Sequence, residues 1–516
     1  MSADVPVRAV PSGWRVAPAV VLAAMILAWP MWAGMVAAND DLKFVRTVDR
    51  DLGVAGAVAK AWRSSPAFRP VEVALGVWTD PWSLECPAAM PMHALGLAGV
   101  LTAIAAMSRR AAPGLAWAGP LAMILFLLSP ATTAALWQVD TVSQTWSAAI
   151  GCWAMVLAWD AAAAFREGRK PLRTMIALGA LMVLGCSVKE TGYGWSLAIG
   201  LGTMALAATA WRSDRAAAWR TVMLLVPVAV LPLAHAVLRV TTGALGGVAA
   251  GEDGSRYSAD LGLNLVVNAA FSVAGVIGTG PFHAVTDAAA PGWVRALPFV
   301  AVVAAVGVFS VAGGFAVLHR GSAQPVRWAG IGFFSMVAML STSATLPMGS
   351  VGELYGMGAN AGAAVALAAA LCALWNPLAD DERTLGRVVA AASGSALVAI
   401  GAFGLAGRAE GFRVTWEVTR LLNDAIVTHL RAMPEVTEDA DARPGIVHFG
   451  SSCLLGRTYG QYVVPPVQAI GVKTTAEWLR AVEPRRPLRF SLEPAADMEP
   501  TDLELPCTDL PRRGHW

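Results

Sequence analysis

The chain has 516 residues, of which 56% are hydrophobic and only 14% charged, against about 25% charged in an ordinary soluble domain. That balance excludes an ordinary soluble domain, and a net charge of +2 leaves no electrostatic footprint for nucleic acid. The apolar residues come in blocks of about 20, the length of a helix crossing a ~30 Å hydrocarbon core. The pattern is that of an all-α polytopic membrane protein. Its tryptophans number 20, and Trp32, Trp137, Trp211, Trp328 and Trp375 lie near block ends, where interfacial belts form.

The first block, about 16–38, is too long for the apolar core of a signal peptide and reads as a retained anchor. In chain order, spans are predicted near 17–38, 92–108, 115–136, 145–165, 173–188, 192–211, 220–239, 297–318, 328–345, 357–376 and 387–406, which makes about eleven. A further segment, 262–282, carries two Asn and four Gly. Charge bias decides its fate. The loops holding Arg109/Arg110, Arg166/Arg169/Lys170/Arg173, Arg212/Arg215/Arg220, Arg320/Arg327 and Arg383/Arg387 are basic. All fall on the cytoplasmic side if the N-terminus is inside and 262–282 does not cross. That segment therefore reads as re-entrant or interfacial, within one long external loop of about 240–296.

The expected organisation is a multi-span domain, 1–406, followed by an extracytoplasmic C-terminal segment, 407–516. The segment reads as small α+β: a helix in GFRVTWEVTRLLNDAIVTHLRAM, strands in PGIVHFG and QYVVPPVQAIGV, and an extended end. Of the six cysteines, Cys152, Cys186 and Cys372 lie in spans. Cys453 and Cys507 share the external tail and form a disulfide candidate, with Cys86 as the other external thiol. No spacing fits a zinc site.

The external connections hold a different polar set from the basic cytoplasmic loops. They carry Asp40 and Asp41, then Arg69 and His93, then Asp140 and Gln144, then Lys189 and Glu190, then Glu353 and Tyr355. Ionisable groups at membrane depth are costly unless paired or facing a polar cavity, so they are functional candidates. Each also has a local reading. Asp40 fits the N-cap of an amphipathic helix beginning DLKFVRTVDRDL, and Asp140 a cap for the next span. Lys189 and Glu190 fit a turn with local pairing, and His93 fits an interfacial core histidine. Capping uses one carboxylate, so Asp41 still needs another role. Arg69 stands before a proline that holds it extended, and its guanidinium is a fixed fork for phosphate.

An acidic pair after the first span, FRP later in that loop and a His opening the second span begin a familiar order. QVD..SQ after the third span, KET between the fifth and sixth, and GELYG before a late span complete it. Together they resemble the GT-C membrane glycosyltransferases, protein O-mannosyltransferases and bacterial polyprenyl-phosphate-sugar enzymes above all, over about residues 17–405. FRP stands for YRP, no Asn follows His93 at the expected spacing, GELYG lacks an arginine, and no tetratricopeptide repeat follows. The likeness is therefore to the superfamily rather than to the O-mannosyltransferases in particular.

The resemblance implies a GT-C-like fold and sugar transfer from a polyprenyl-phosphate donor to an extracytoplasmic hydroxyl on protein, lipid or glycan. It implies Asp40 as base, Asp41 as its orienting neighbour, and Asp140 on acceptor or sugar hydroxyls. It gives donor phosphate and substrate contacts to Arg69, His93, Gln144, Lys189, Glu190, Glu353 and Tyr355, with 262–282 as a wall of the lipid groove. Some superfamily members hold a divalent cation, for which Asp40 and Asp41 are the candidates here. The alternatives are a transporter or lipid flippase, whose hallmark would be paired, interrupted spans in two repeated halves, and a non-catalytic envelope-assembly protein. No internal repeat is evident. Ala, Gly, Arg and Trp richness fits a bacterial inner membrane, with the N-terminus cytoplasmic and the C-terminus periplasmic.

Overall fold

The computed structural model describes residues 16–33, 89–137, 141–189, 191–211, 214–241, 262–281, 285, 290–318, 324–342, 356–375, 383–433, 445–448, 457–459, 462–464, 488–491, 502–505 and 507. The chain is a multi-pass bundle of apolar helices. They are α1 (Ala17–Ala33), α2 (Ala89–Ala111), α3 (Ala118–Leu127), α4 (Pro130–Leu136), α5 (Val142–Arg166), α6 (Leu172–Val188) and α7 (Thr191–Trp211). There follow α8 (Arg215–Val222), a π turn (Val226–Val230), α9 (Leu231–Thr241), α10 (Asn264–Ile277), α11 (Gly292–Leu318), α12 (Gln324–Leu340), α13 (Met357–Trp375) and α14 (Arg383–Ala432). Helices dominate because lipid offers no partner for a backbone N–H or C=O, so each segment must satisfy its own. Among the described residues seven helices are long and apolar enough to cross, eight if the bent pair α3–α4 is counted as one span. Shorter apolar helices at Ala17–Trp29, Leu172–Val188 and Gly330–Leu340 coincide with the other expected spans.

Two elements differ from the sequence expectation. The span expected at 115–136 is broken, with α3 and α4 meeting at 65°. Pro130 is the cause: it cannot donate to the α3 ladder but suits the first turn of a new helix. Ser129 caps that helix by accepting from Ala131 N at 3.2 Å. Asn360 of α13 donates to Phe126 O and to Thr132 Oγ1, both at 3.3 Å, one on each side of the break.

The second difference is α14. The span expected at 387–406 and the tail helix expected after it form one helix of 50 residues, roughly 75 Å long at 1.5 Å per residue. It runs through the boundary expected at 406/407. Beyond the apolar stretch, Arg413 pairs with Glu410 at 2.8 Å and with Glu417 at 3.8 Å. The Glu410 carboxylate holds the Arg413 guanidinium above its ordinary range.

Segment 262–282 contributes α10, 14 residues and so roughly 21 Å, too short to cross. After it, Gly280 adopts φ +105° and seats its backbone against Gly404 and Ile400 of α14. Thr279 Oγ1 donates to Leu397 O at 2.8 Å.

The core centres on α13, almost wholly buried and built largely of Ala and Gly, with α5 beside it. Small residues let helices approach closely where lipid supplies no hydrophobic drive. Trp195 of α7 lies between Gly151 of α5 and Gly358 of α13, where a Cβ on either glycine would overlap the indole. At one end of the bundle Arg110 grips Asp160 with both Nε (2.6 Å) and Nη2 (2.5 Å), tying α2 to α5.

The C-terminal segment holds two small sheets. β1 (Gly445–His448) lies parallel between β4 (Leu488–Ser491) and β5 (Leu503–Glu504), with Ile446 opposite Arg489 and Val447 opposite Leu503. β2 (Arg457–Tyr459) and β3 (Tyr462–Val464) form an antiparallel hairpin. Asp502 accepts from Ile446 N at 3.0 Å and fixes the approach of β5. The end expected to be merely extended thus adds a strand. Cys507, buried beside it, is disulfide-bonded, whereas Cys152, Cys186 and Cys372 are buried thiols outside any disulfide. Its partner therefore lies outside the described residues, as do the candidates Cys453 and Cys86.

Candidate functional site: a buried polar hub where α5 begins

The first turns of α5 carry Ser143, Gln144, Thr145 and Ser147, all buried. The N-cap position falls on Thr141, one residue past Asp140, with no side-chain cap. Thr141 Oγ1 instead donates to Ala135 O at 2.5 Å, fastening the start of α5 to the end of α4. The polar hub is therefore free of the capping duty expected at this helix start, and its side chains turn to other helices.

Toward α2, Thr145 Oγ1 lies 3.4 Å from Nδ1 of His93. His93 is completely buried and stacks on Trp32 of α1, with ring centroids 6.5 Å apart and planes 11° from parallel. Trp32 Nε1 donates to Leu136 O at 3.1 Å. One histidine thus joins α1, α2 and α5.

Toward α6 and α7, Lys189 Nζ donates to Ser143 Oγ at 3.3 Å, and Ser147 Oγ meets Thr191 Oγ1 at 2.7 Å. Lys189 caps α6 in extended backbone and is 9% exposed. An ionisable side chain so little exposed at a helix junction is a functional candidate.

Among the described residues, two buried donors at this end have no acceptor: Gln144 Nε2 and Trp137 Nε1, their residues 4% and 5% exposed. In the sequence they stand on either side of Asp140. Each orphaned donor costs about 1–3 kcal/mol, and such groups in native structures call for an explanation. An oxygen-rich ligand supplies one.

Arg408 of α14 was not singled out in the sequence, where it reads as a charge just past the last span. It is 1% exposed and donates from Nη1 to Pro130 O at 2.6 Å, at the α3–α4 break. One turn on, Phe412 packs edge-on against Trp137 at 5.8 Å. Its signal was available: an arginine in helical continuity with an apolar span is a functional candidate.

Of the expected site residues, His93, Gln144 and Lys189 meet at this hub. Asp40, Asp41, Arg69, Asp140, Glu190, Glu353 and Tyr355 lie outside the described residues. The residues next to four of those loops converge here nonetheless. Trp32 precedes the acidic pair, Trp137 and Thr141 bracket Asp140, and Lys189 and Thr191 bracket Glu190. Gly356, following Tyr355, is buried facing Ala131 of α4. Among the described residues no group of three His, Cys, Asp or Glu could hold a metal. The described donors (hydroxyls, an amide, an indole, an ammonium) suit an anion or a sugar rather than a hard cation, which takes carboxylate and carbonyl oxygens. A separate cavity of about 760 Å³, at the other end of the bundle between Trp117, Trp375 and Val398, has no charged side chain in its lining.

No protein-family model matches the chain, and no curated protein sequence matches it. Solved structures with a similar course include the apo oligosaccharyltransferase of Archaeoglobus fulgidus, at TM-score 0.44 and 12% identity over 92% of this chain and 64% of that one. The same organism's oligosaccharyltransferase AglB, in complex with an inhibitory peptide and a dolichol-phosphate, gives 0.44 and 12% over 91% and 64%. ArnT from Cupriavidus metallidurans, bound to undecaprenyl phosphate, gives 0.44 and 14% over 93% of this chain and 90% of that one. The chain spans about two-thirds of the length of the archaeal proteins and most of the length of ArnT.

Proposed function

We propose that the chain is a GT-C-type membrane glycosyltransferase that moves a sugar from a polyprenyl-phosphate donor to an acceptor hydroxyl on the extracytoplasmic side. The observation that carries the reading is the pair of buried N–H donors, Trp137 Nε1 and Gln144 Nε2, that find no acceptor among the described residues, at the bundle end where Lys189 meets the start of α5. Donors that pay for burial without a partner in the free protein are matched by the oxygens of a phosphate and a sugar.

In this reading Asp40, oriented by Asp41, takes the proton from the acceptor hydroxyl as its oxygen attacks the anomeric carbon. The bond from that carbon to the phosphate oxygen breaks, and the polyprenyl phosphate leaves with the electron pair. Lys189 and Arg69 offset the charge that develops on it. Glu190 fixes the lysine, Asp140 and Gln144 hold sugar or acceptor hydroxyls, and His93 sets the hub. Glu353 and Tyr355 complete the substrate wall. Should the acidic pair hold a divalent cation, that ion would supply further charge stabilisation for the leaving phosphate.

Sidedness rests on two observations. Arg109, Arg110 and Arg166 lie at the ends of α2 and α5 away from the hub, as the positive-inside rule requires if the hub faces outward. The Cys507 disulfide suits an oxidising compartment for the tail.

The test is sugar transfer or hydrolysis by purified protein in lipid nanodiscs, with a panel of radiolabelled polyprenyl-phosphate sugars and Asp40→Asn beside wild type. Turnover in wild type alone supports the reading. Turnover undiminished in Asp40→Asn and in Asp41→Asn sinks the base assignment, and binding without turnover on any donor moves the reading to transport or scaffolding.

A further inference from the structure

α9 faces lipid along much of its length: Leu233, Val237 and Leu238 are exposed, yet His235 on the same helix is buried. An ionisable ring turned inward at membrane depth marks a role by default. Its two nitrogens reach two different helices. Nε2 lies 3.2 Å from Ser187 Oγ in the last turn of α6, and Nδ1 lies 2.8 Å from Tyr193 Oη in the first turn of α7.

Ser187 O–H donates to Val183 O at 2.9 Å, which leaves its oxygen lone pairs for His235 Nε2. Bridging two hydroxyls on separate helices needs two hydrogen-bonding atoms on one rigid group, which an aliphatic side chain cannot supply.

Ser187 and Tyr193 bracket Lys189 and Glu190. The turn between them closes through Lys189 N donating to Gly185 O at 3.1 Å and Gly192 N donating to Lys189 O at 2.9 Å. It is tight, since a Cβ at Gly192 would overlap the backbone of Gly185. On its α5 side the turn is held by Ser143 and Ser147. His235 holds it from the other side.

We propose that His235 is a positioning residue for the transfer reaction. It staples the two helix ends that flank the Lys189–Glu190 turn and so fixes the direction in which the Lys189 ammonium meets the donor phosphate. The proposal rests on the reading of the site given above. Its consequence is specific: loss of the imidazole leaves the lysine charge in place but releases its aim.

The experiment compares wild type, His235→Ala, His235→Gln, Tyr193→Phe and Lys189→Ala in nanodiscs, with undecaprenyl phosphate as the probe. Two readouts are taken, hydrogen exchange over residues 185–195 and affinity for the lipid phosphate. His235→Ala is expected to speed exchange in that stretch and to weaken affinity, by about 10-fold if the loss is comparable to that of one net hydrogen bond to a charged group. His235→Gln, which keeps one donor and one acceptor, is expected to recover part of both. Where His235→Ala fails to fold, Tyr193→Phe removes one of the two bonds and carries the same test. Unchanged exchange over 185–195 overturns the staple. Faster exchange with undiminished affinity overturns its functional role. Lys189→Ala with undiminished affinity overturns the site reading itself, and with it the role assigned to His235.

Discussion

Replacing Gln144 by Met should make the free protein more stable and, on the proposed function, its ligand binding weaker. The amide nitrogen is buried with no partner among the described residues, in a residue 4% exposed, so its desolvation is uncompensated at about 1–3 kcal/mol. Met keeps the length and flexibility of the side chain and removes the polar atoms, so repacking should add little strain. The expected gain is about 1–2 kcal/mol, and the lost donor should weaken binding of a phosphate or sugar ligand by a similar amount, about 5–30-fold. Thermal unfolding in detergent, followed by tryptophan fluorescence, reads the first effect; titration with undecaprenyl phosphate and with the active donor reads the second. A variant less stable than wild type by 1 kcal/mol or more would show that the amide is satisfied in the free protein. A more stable variant with unchanged affinity and turnover would refute the link between the orphaned donor and the ligand.

Gly358→Ala and Gly151→Ala should each destabilise by about 1–3 kcal/mol through overpacking, because the new methyl meets Trp195 from one side or the other. Trp195→Leu should relieve either, and its failure to do so in thermal unfolding would place the strain elsewhere. Reduction should shift the electrophoretic mobility of the protein by opening the Cys507 disulfide, with Cys453 as the expected partner. Freely alkylatable thiols at both positions without reductant would rule that bridge out. A reporter fused to the C-terminus should be active only outside the cytosol, and one active only in the cytosol would reverse the proposed sidedness.

The helices were legible because lipid makes a simple demand. A stretch of about 20 apolar residues must become a helix to satisfy its backbone, and every expected span coincides with helix among the described residues, 115–136 in two pieces. The α3–α4 break was written in Ser129 and Pro130, but average hydropathy runs smoothly across both and conceals it. The continuity of α14 was less readable. Gly404, Gly407 and Gly411 fall where composition turns from apolar to charged, and each glycine disfavours helix by about 1 kcal/mol relative to Ala. Tertiary packing overrides that preference: Gly404 needs no side chain because the Gly280 backbone occupies its place. Arg408 hydrogen-bonds a carbonyl 278 positions away, and no local pattern announces such a pairing.

The hub itself lies between these cases. Gln144 and Lys189 stood out as polar residues at span ends, and His93 as a histidine opening a span. Their convergence on α5 was not written in any one of the motifs. It follows, however, from the run Ser143, Gln144, Thr145 and Ser147 taken together. Successive residues of a helix point about 100° apart, so these four polar side chains span an arc of roughly 200°, more than half its circumference. No rotation of an isolated helix could turn that many away from lipid. Only a helix end enclosed by protein on every side can bury them, and His93, Lys189, Thr191 and the end of α4 provide that enclosure. A polar run that spans more than half the circumference at one end of an apolar span is thus a sequence sign of a buried site, and of which end of the bundle holds it.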